Sequence, residues 1–337
     1  FFNDTATTEF YTALNTLSLH DALPITPAEA WKPTGEEAPT AHILGLLLRC
    51  LGLPYLMLSA TGPLLQAWFS RSHPGVSPYR LYALSNVGSL LALLGYPFLV
   101  EPNLTRQQQA TAWSWGLVGF VLLAVWCGSR VWRAAETEAA PAAASAAEAP
   151  PAAPAGRRWF WFLLPACAVV LLLATTNTLC QDIAVIPFLW ILPLSLYLLS
   201  FIICFDSPRW YRRRFWLPLL AVALTASAGA LLGHHEAALL GFWAPIPWLG
   251  SLGADLTMYQ ELGIHLLTLF VCCMACHGEV YRLRPEAEGL TGFYLSLSAG
   301  GACGGLFVAV GAPLLLDHHG EFQAALLLTA VLVLGVL

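Results

Sequence analysis

The sequence predicts an all-α protein, a polytopic membrane helix bundle of about nine transmembrane helices. Three observations predict it. Of 337 residues, 58% are hydrophobic and 10% charged, whereas a soluble domain carries about 25% charged residues. Several apolar runs reach the roughly 20 residues that a spanning helix needs. The basic residues fall in every second loop, the pattern of a chain that crosses a bilayer repeatedly.

Residues 1–25, FFNDTATTEFYTALNTLSLHDALPI, differ in composition from all that follows. NDTATTE and LSLHDALPI read as a translated sequencing-library adapter or a disordered polar tail, and they stand outside the fold. The first three-helix membrane part is expected over 41–132. Its spans are about 41–60, 81–100 and 110–127. Arg49 lies inside the first of these, where it either snorkels or faces another helix. Asn86, Gly88 and Ser89 give the second span a small-residue packing face. Trp113, Trp115 and Trp126 sit near the ends of the third, as interfacial aromatics do. An Ala/Pro-rich linker is expected over 133–157, extended and semi-rigid.

A six-helix membrane part is expected over 158–337, cut off in its last helix. Spans 4 and 5, about 159–178 and 183–205, enclose a polar knot of Thr175, Thr176, Asn177, Thr178, Gln181 and Asp182. The knot is either a tight turn at one membrane face or a broken helix. Pro193, mid-way along span 5, is expected to kink it near residue 189. Span 6 covers about 215–232. The long loop 234–261 holds FWAPIPWLG, which suits the interface. Spans 7 and 8 are about 262–280 and 290–316, and span 9 begins near Phe322.

Charge sets the expected orientation. Loops 71–80, 130–158, 207–214 and 282–288 hold twelve of the fifteen Lys and Arg, and the alternate loops hold only Arg106. The positive-inside rule puts the basic loops in the cytoplasm, the N-terminus outside and the C-terminus cytoplasmic. It puts the knot at the outer face. The expected localisation is a bacterial-type cytoplasmic (inner) membrane.

Several motifs bear on chemistry. Cys273-Met-Ala-Cys276-His277 matches the haem-attachment spacing. It lies on an apolar helix, at an end that charge places inside, so packing cysteines are the better reading. Zinc would need a second ligand pair beyond Cys272, Cys273, Cys276 and His277. The nine cysteines are odd in number and irregularly spaced, which does not suit a disulfide framework. Glu279 lies three residues before Arg282, an ion-pair spacing on a helix. The alternative is a cation or proton site at the inner mouth of a path, with His277 beside it.

In the knot, Asn177 and Gln181, and likewise Thr178 and Asp182, are four apart and share a helical face. Such oxygens either bind a cationic amine or satisfy free backbone groups at helix ends. Gly300, Gly301, Gly304 and Gly305 form two overlapping GxxxG patterns, a signature of close helix packing. His234, His235, His318 and His319, with Glu236 and Asp317, are weak candidates for a metal or pH site in outer loops. No cofactor is expected within these residues.

Three stretches carry a resemblance. They are LSATGPLLQAWF with PYRLYALSNVGSLLALLGYPFLVEP (58–69 and 78–102), ATTNTLCQDIAVIPFLWILPLSLYLLSFIICFD (174–206), and CHGEVYRLRP with LTGFYLSLSAGGACGGLFVAVGAPLLLD (276–317). They resemble the membrane-integral spermidine synthase-like proteins, or fused transporter-like/spermidine synthase proteins. The resemblance implies a helical membrane region followed by a cytoplasmic aminopropyltransferase-type domain. That domain would use decarboxylated S-adenosylmethionine as co-substrate and putrescine as acceptor. No strand followed by a Gly-rich loop occurs here, so these residues are not expected to catalyse the transfer alone. The expected function is the transmembrane module of such a protein. The alternatives are a transporter of small cations or polyamines, and a membrane scaffold without ligand. The expected partners are the lipid bilayer, a polyamine or other small cation, and the chain's own C-terminal domain; no nucleic acid is expected.

Overall fold

The structure is a computed structural model that describes residues 43, 45–48, 52–73, 78–138, 157–183, 189–234, 257–285, 289–316 and 320–337. Every regular element among them is helical. In chain order these are α1 (Leu53–Ser72), α2 (Tyr79–Gly95), α3 (Arg106–Glu138), α4 (Phe160–Asn177), α5 (Ile191–Asp206), α6 (Arg213–His234), α7 (Met258–Arg282), α8 (Leu290–Leu306), α9 (Ala312–Leu315) and α10 (Glu321–Val336). Wider π-helical turns extend α2 over Tyr96–Val100, α4 over Thr178–Ile183 and α8 over Phe307–Gly311.

Five described stretches are long and apolar enough to cross a membrane: Tyr79–Val100, Arg106–Arg130, Phe160–Cys180, Met258–Arg282 and Leu290–Leu315. Ile191–Asp206 and Glu321–Val336 are shorter apolar helices. This is a helical protein with several candidate spans, in the class that composition predicts.

The chain divides into two compact units, Phe1–Pro74 with Tyr96–Ala146, and Gly75–Gly95 with Ala147–Leu337. In the first, α1 packs on α3. A Cβ added to Gly128 would lie 2.9 Å from the Trp68 ring, so that glycine admits the indole. Thr105 and Gln108 cap the start of α3 reciprocally, at 2.8 Å and 3.4 Å. The helix then runs to Glu138, past the expected end of span 3 and into the segment expected as linker. Ala134, Ala135, Glu136 and Glu138 are mostly strong helix formers, and the first proline comes only at Pro141.

The second unit is built on α7. It packs against α4, α5, α6 and α10, while α4 also carries α8 and α10, and α2 lies on α5. Every residue from Val271 to Tyr281 is buried. A helix apolar on all sides belongs at the centre of a bundle, and the small residues Cys272, Cys273, Ala275, Cys276 and Gly278 let neighbours approach. Ser227 on α6 donates to the Thr268 hydroxyl at 2.9 Å, stitching α6 to α7. The helix starts at Met258, four residues before the expected start, because Thr257 and Gln260 form a capping box.

Pro193 differs from expectation. It is the third residue of α5, not the middle of a span. Proline is tolerated in a first turn, where its missing N–H is not needed, so it starts a helix rather than kinking one.

One end of this unit gathers the basic residues. Arg80 at the start of α2 pairs with Asp206 at the end of α5, at 3.1 Å. Tyr79 donates to the Pro285 carbonyl after α7 and meets Phe293 on α8 edge-on at 5.8 Å. Trp161 at the start of α4 donates to the Leu283 carbonyl at 2.8 Å. Arg213 at the start of α6 reaches the Val336 carbonyl at the end of α10, at 3.5 Å. The helix ends flanking the basic loops of this unit are therefore brought together.

Candidate functional site

The most strongly organised polar group lies at that basic end and is centred on Glu279. Its side chain is fully buried on α7. Arg213, entering from the first turn of α6, grips it with a fork: Nε donates to Oε1 at 2.7 Å and Nη2 to Oε2 at 2.6 Å. Tyr211 donates its hydroxyl to Oε1 at 2.9 Å. Arg282, the partner expected from local spacing, stands at 3.7 Å on Oε2 and is half-exposed. Both carboxylate oxygens are thus occupied by charge-assisted or phenolic hydrogen bonds, the geometry that makes a buried carboxylate tolerable.

Local sequence makes the clamp possible. Tyr211 and Arg213 alternate with Trp210, Arg212 and Arg214 before and within the first turn of α6. The odd pair turns inward, and Arg212 and Arg214 face out. A Cβ at Gly278 would collide with the Tyr211 ring, so only glycine lets that ring lie on α7 beside Glu279. Tyr211 lies in the connection outside the spans. Burial, and then the adjoining carboxylate, push its phenol well above the ordinary range, which keeps it a proton donor. Arg213, Tyr211 and Gly278 were not singled out from sequence. The signal that existed was the run YRRR at a helix start: consecutive residues there point about 100° apart, so one of the three arginines turns towards the bundle.

His277 lies about half a turn deeper and faces another helix. Two residues apart on an α-helix, it and Glu279 point to nearly opposite sides, so they do not form the joint site that adjacency suggested. The His277 ring stacks on Phe201 with centroids 3.6 Å apart and meets Tyr197 edge-on at 5.0 Å. Its Nδ1 is 2.8 Å from the Ser200 hydroxyl. That hydroxyl also reaches the Tyr197 carbonyl at 2.7 Å. The other ring nitrogen, Nε2, is buried without a partner among the described residues. A chain of rings links this point to the basic end: Phe201 to Tyr82 at 5.6 Å, Tyr82 to Tyr294 at 5.1 Å, and Tyr294 to Tyr79 at 6.2 Å. The Arg284 guanidinium stands 5.5 Å from the Tyr79 ring centre.

The knot is helical rather than a tight turn. From Thr178 to Ile183 the chain continues α4 as a wider turn. Thr176 bonds back to the Leu172 carbonyl at 2.7 Å. Thr175 is buried with its hydroxyl unpartnered among the described residues. The side chains of Gln181 and Asp182 lie outside the described residues, as do those of His234, His235, His318 and His319.

The four glycines of α8 divide into two pairs. A Cβ at Gly300 would strike the Phe162 carbonyl, and one at Gly304 the Ala166 carbonyl, so these two bring the α8 and α4 backbones together. Gly301 and Gly305 would meet only the side chains of Val169 and Leu173, at 3.6–4.0 Å. Cys167, Cys204, Cys272, Cys273 and Cys276 are buried between helices, while Cys303 is exposed. The Cys167 thiol lies 3.2 Å from the Thr329 hydroxyl. No group of three His, Cys, Asp or Glu suited to a metal ion occurs among the described residues. Comparison with protein-family models, with curated proteins and with solved structures returned no match.

Proposed function

We propose that the chain is the transmembrane module of a spermidine-synthase-like integral membrane protein, whose basic end carries a cytoplasmic aminopropyltransferase-type domain. The observation that carries this reading is spatial. The three stretches that bear the resemblance are far apart in sequence, yet parts of all three pack together at the basic end. Tyr79, Arg80 and Tyr82 come from the first, Phe201, Phe205 and Asp206 from the second, and His277 to Pro285 with Phe293 from the third. Their links are Arg80 to Asp206, Tyr79 to Pro285, Tyr82 to Phe201 and Phe201 to His277. The positive-inside rule makes this end cytoplasmic, and α10 finishes there, held by Arg213. A domain continuing from α10 would meet a face fixed by the Glu279 clamp.

In this reading the bundle has about nine spans, with the N-terminus outside. The clamp also weighs against the transporter alternative in its simplest form: a carboxylate already held by a guanidinium fork has no open oxygen for a cation. The test is the gene product extended beyond Leu337. Membranes holding it should transfer an aminopropyl group from decarboxylated S-adenosylmethionine to putrescine. A coding sequence that closes soon after α10 without a nucleotide-binding domain, or membranes without transfer, would remove this reading.

A further inference from the structure

The connection from α5 into α6 holds more positive charge than the clamp uses. Arg213 is neutralised by Glu279. Arg209, Arg212 and Arg214 are exposed and make no side-chain ion pair or hydrogen bond among the described residues. The backbone that presents them is fixed. Trp216 donates its indole N–H to the Trp210 carbonyl at 2.9 Å, Trp210 N–H bonds to the Ser207 carbonyl at 3.3 Å, and Tyr211 and Arg213 are anchored to Glu279 from below. The acid beside the start of α6, Glu279, is taken up by Arg213 and Tyr211, and no acid of α6 itself stands in its first turn, so the three outer arginines have no counter-charge from their own helix.

Below the arginines, on the same helix, runs an exposed apolar stripe. Phe215 and Val222 are 61% and 62% exposed, and Pro218 and Ala221 are exposed between them. Arg214, Pro218 and Ala221 stand at i, i+4, i+7, and Phe215, Pro218 and Val222 at i, i+3, i+7, spacings that place residues on one helical face. Trp210, 59% exposed, stands beside the arginines, at the level where amphipathic rings meet headgroups.

We propose that this face is a binding site for an anionic phospholipid. The headgroup phosphate is held by Arg209, Arg212 and Arg214, and an acyl chain lies along Phe215, Pro218, Ala221 and Val222. Charge selects the anion. The contiguous apolar stripe selects a lipid over a free phosphate, because a soluble anion gains nothing from it. A zwitterionic headgroup carries its own ammonium and is disfavoured by the same arginines. The site requires only that the chain sit in a bilayer, and does not depend on the aminopropyltransferase reading.

The test uses the full chain in mixed micelles and in nanodiscs, with phosphatidylglycerol and phosphatidylcholine as the two lipids. Phosphatidylglycerol should raise the melting midpoint and remain attached in native mass spectrometry. Phosphatidylcholine, inorganic phosphate and glycerol phosphate should do neither. Each arginine lost should weaken retention about fivefold, so that the triple variant R209Q/R212Q/R214Q binds on the order of a hundredfold more weakly. Its melting midpoint in phosphatidylcholine should not change, because these side chains hold no other element. R157Q/R158Q should retain the preference. If the triple variant does not fold, R212Q alone and a sodium chloride titration of the wild type give the same reading, since added salt weakens a headgroup contact. Equal effects of the two lipids, equal effects of inorganic phosphate, or full retention of phosphatidylglycerol by the triple variant would overturn the proposal.

Discussion

Glu279 shows how far a single residue can be read without its neighbours. A carboxylate at the end of an apolar run is unusual, and the helical spacing to Arg282 supplies a local partner. The structure keeps that contact at 3.7 Å but gives the close fork to Arg213, 66 positions away in sequence. Local spacing reports what one helix places on its own face. It carries no information about which other helix end arrives opposite. Removing one member of such a pair leaves the other charge buried, at a cost of about 3–5 kcal/mol. Arg213→Gln, which leaves the Glu279 carboxylate buried, should lower stability in detergent by that order, and Glu279→Gln by less, because the Arg213 side chain it leaves is a quarter exposed. The double variant should lose less than the sum of the two, as a double-mutant cycle on unfolding midpoints would show. Independent, additive losses would mean that the fork contributes nothing.

At the scale of the element, α8 and its glycines are the clearest case. Two overlapping GxxxG patterns identify a close-packing helix, but periodicity alone cannot tell which pair faces the neighbour. The α4 backbone decides it, meeting Gly300 and Gly304. Gly304→Val should therefore destabilise by about 1–3 kcal/mol or more, because backbone cannot give way as a side chain can. Gly305→Ala should stay within about 0.5 kcal/mol. Thermal unfolding of the two variants side by side checks this, and equal losses would contradict the assigned face. Helix starts are written locally in the sequence. Thr105 with Gln108 and Thr257 with Gln260 are both T-x-x-Q capping boxes. Pro193 misled because a proline inside an apolar run looks internal until the true start of the helix, Ile191, is known.

At the scale of the molecule, the basic end is what the alternating charges foreshadow. The ends of α4, α5, α6, α7, α8 and α10 meet there with the start of α2. Reporter fusions along the chain test its orientation. Fluorescent-protein fusions after Arg158, Arg209, Arg284 and Leu337 should be bright. Alkaline phosphatase fusions after Asn103, Thr257 and Gly320 should be active, since each reporter works on only one side of the membrane. A reversed or mixed pattern would overturn the cytoplasmic placement of the basic end.

Composition and the order of charges along the chain determined, without a structure, that this is an α-helical protein with several candidate membrane spans and a basic face on alternate loops. Those properties depend on the solvent around each segment, which is written locally in hydropathy and charge. Tertiary structure alone decided which groups face each other. It chose Arg213 over Arg282 for Glu279, set the Tyr211 ring on Gly278, turned His277 toward Ser200 instead of its neighbour in sequence, and assigned Gly300 and Gly304 to the seam. Each of these is a pairing between helices, fixed by how their ends meet in space, and no period along one helix encodes it.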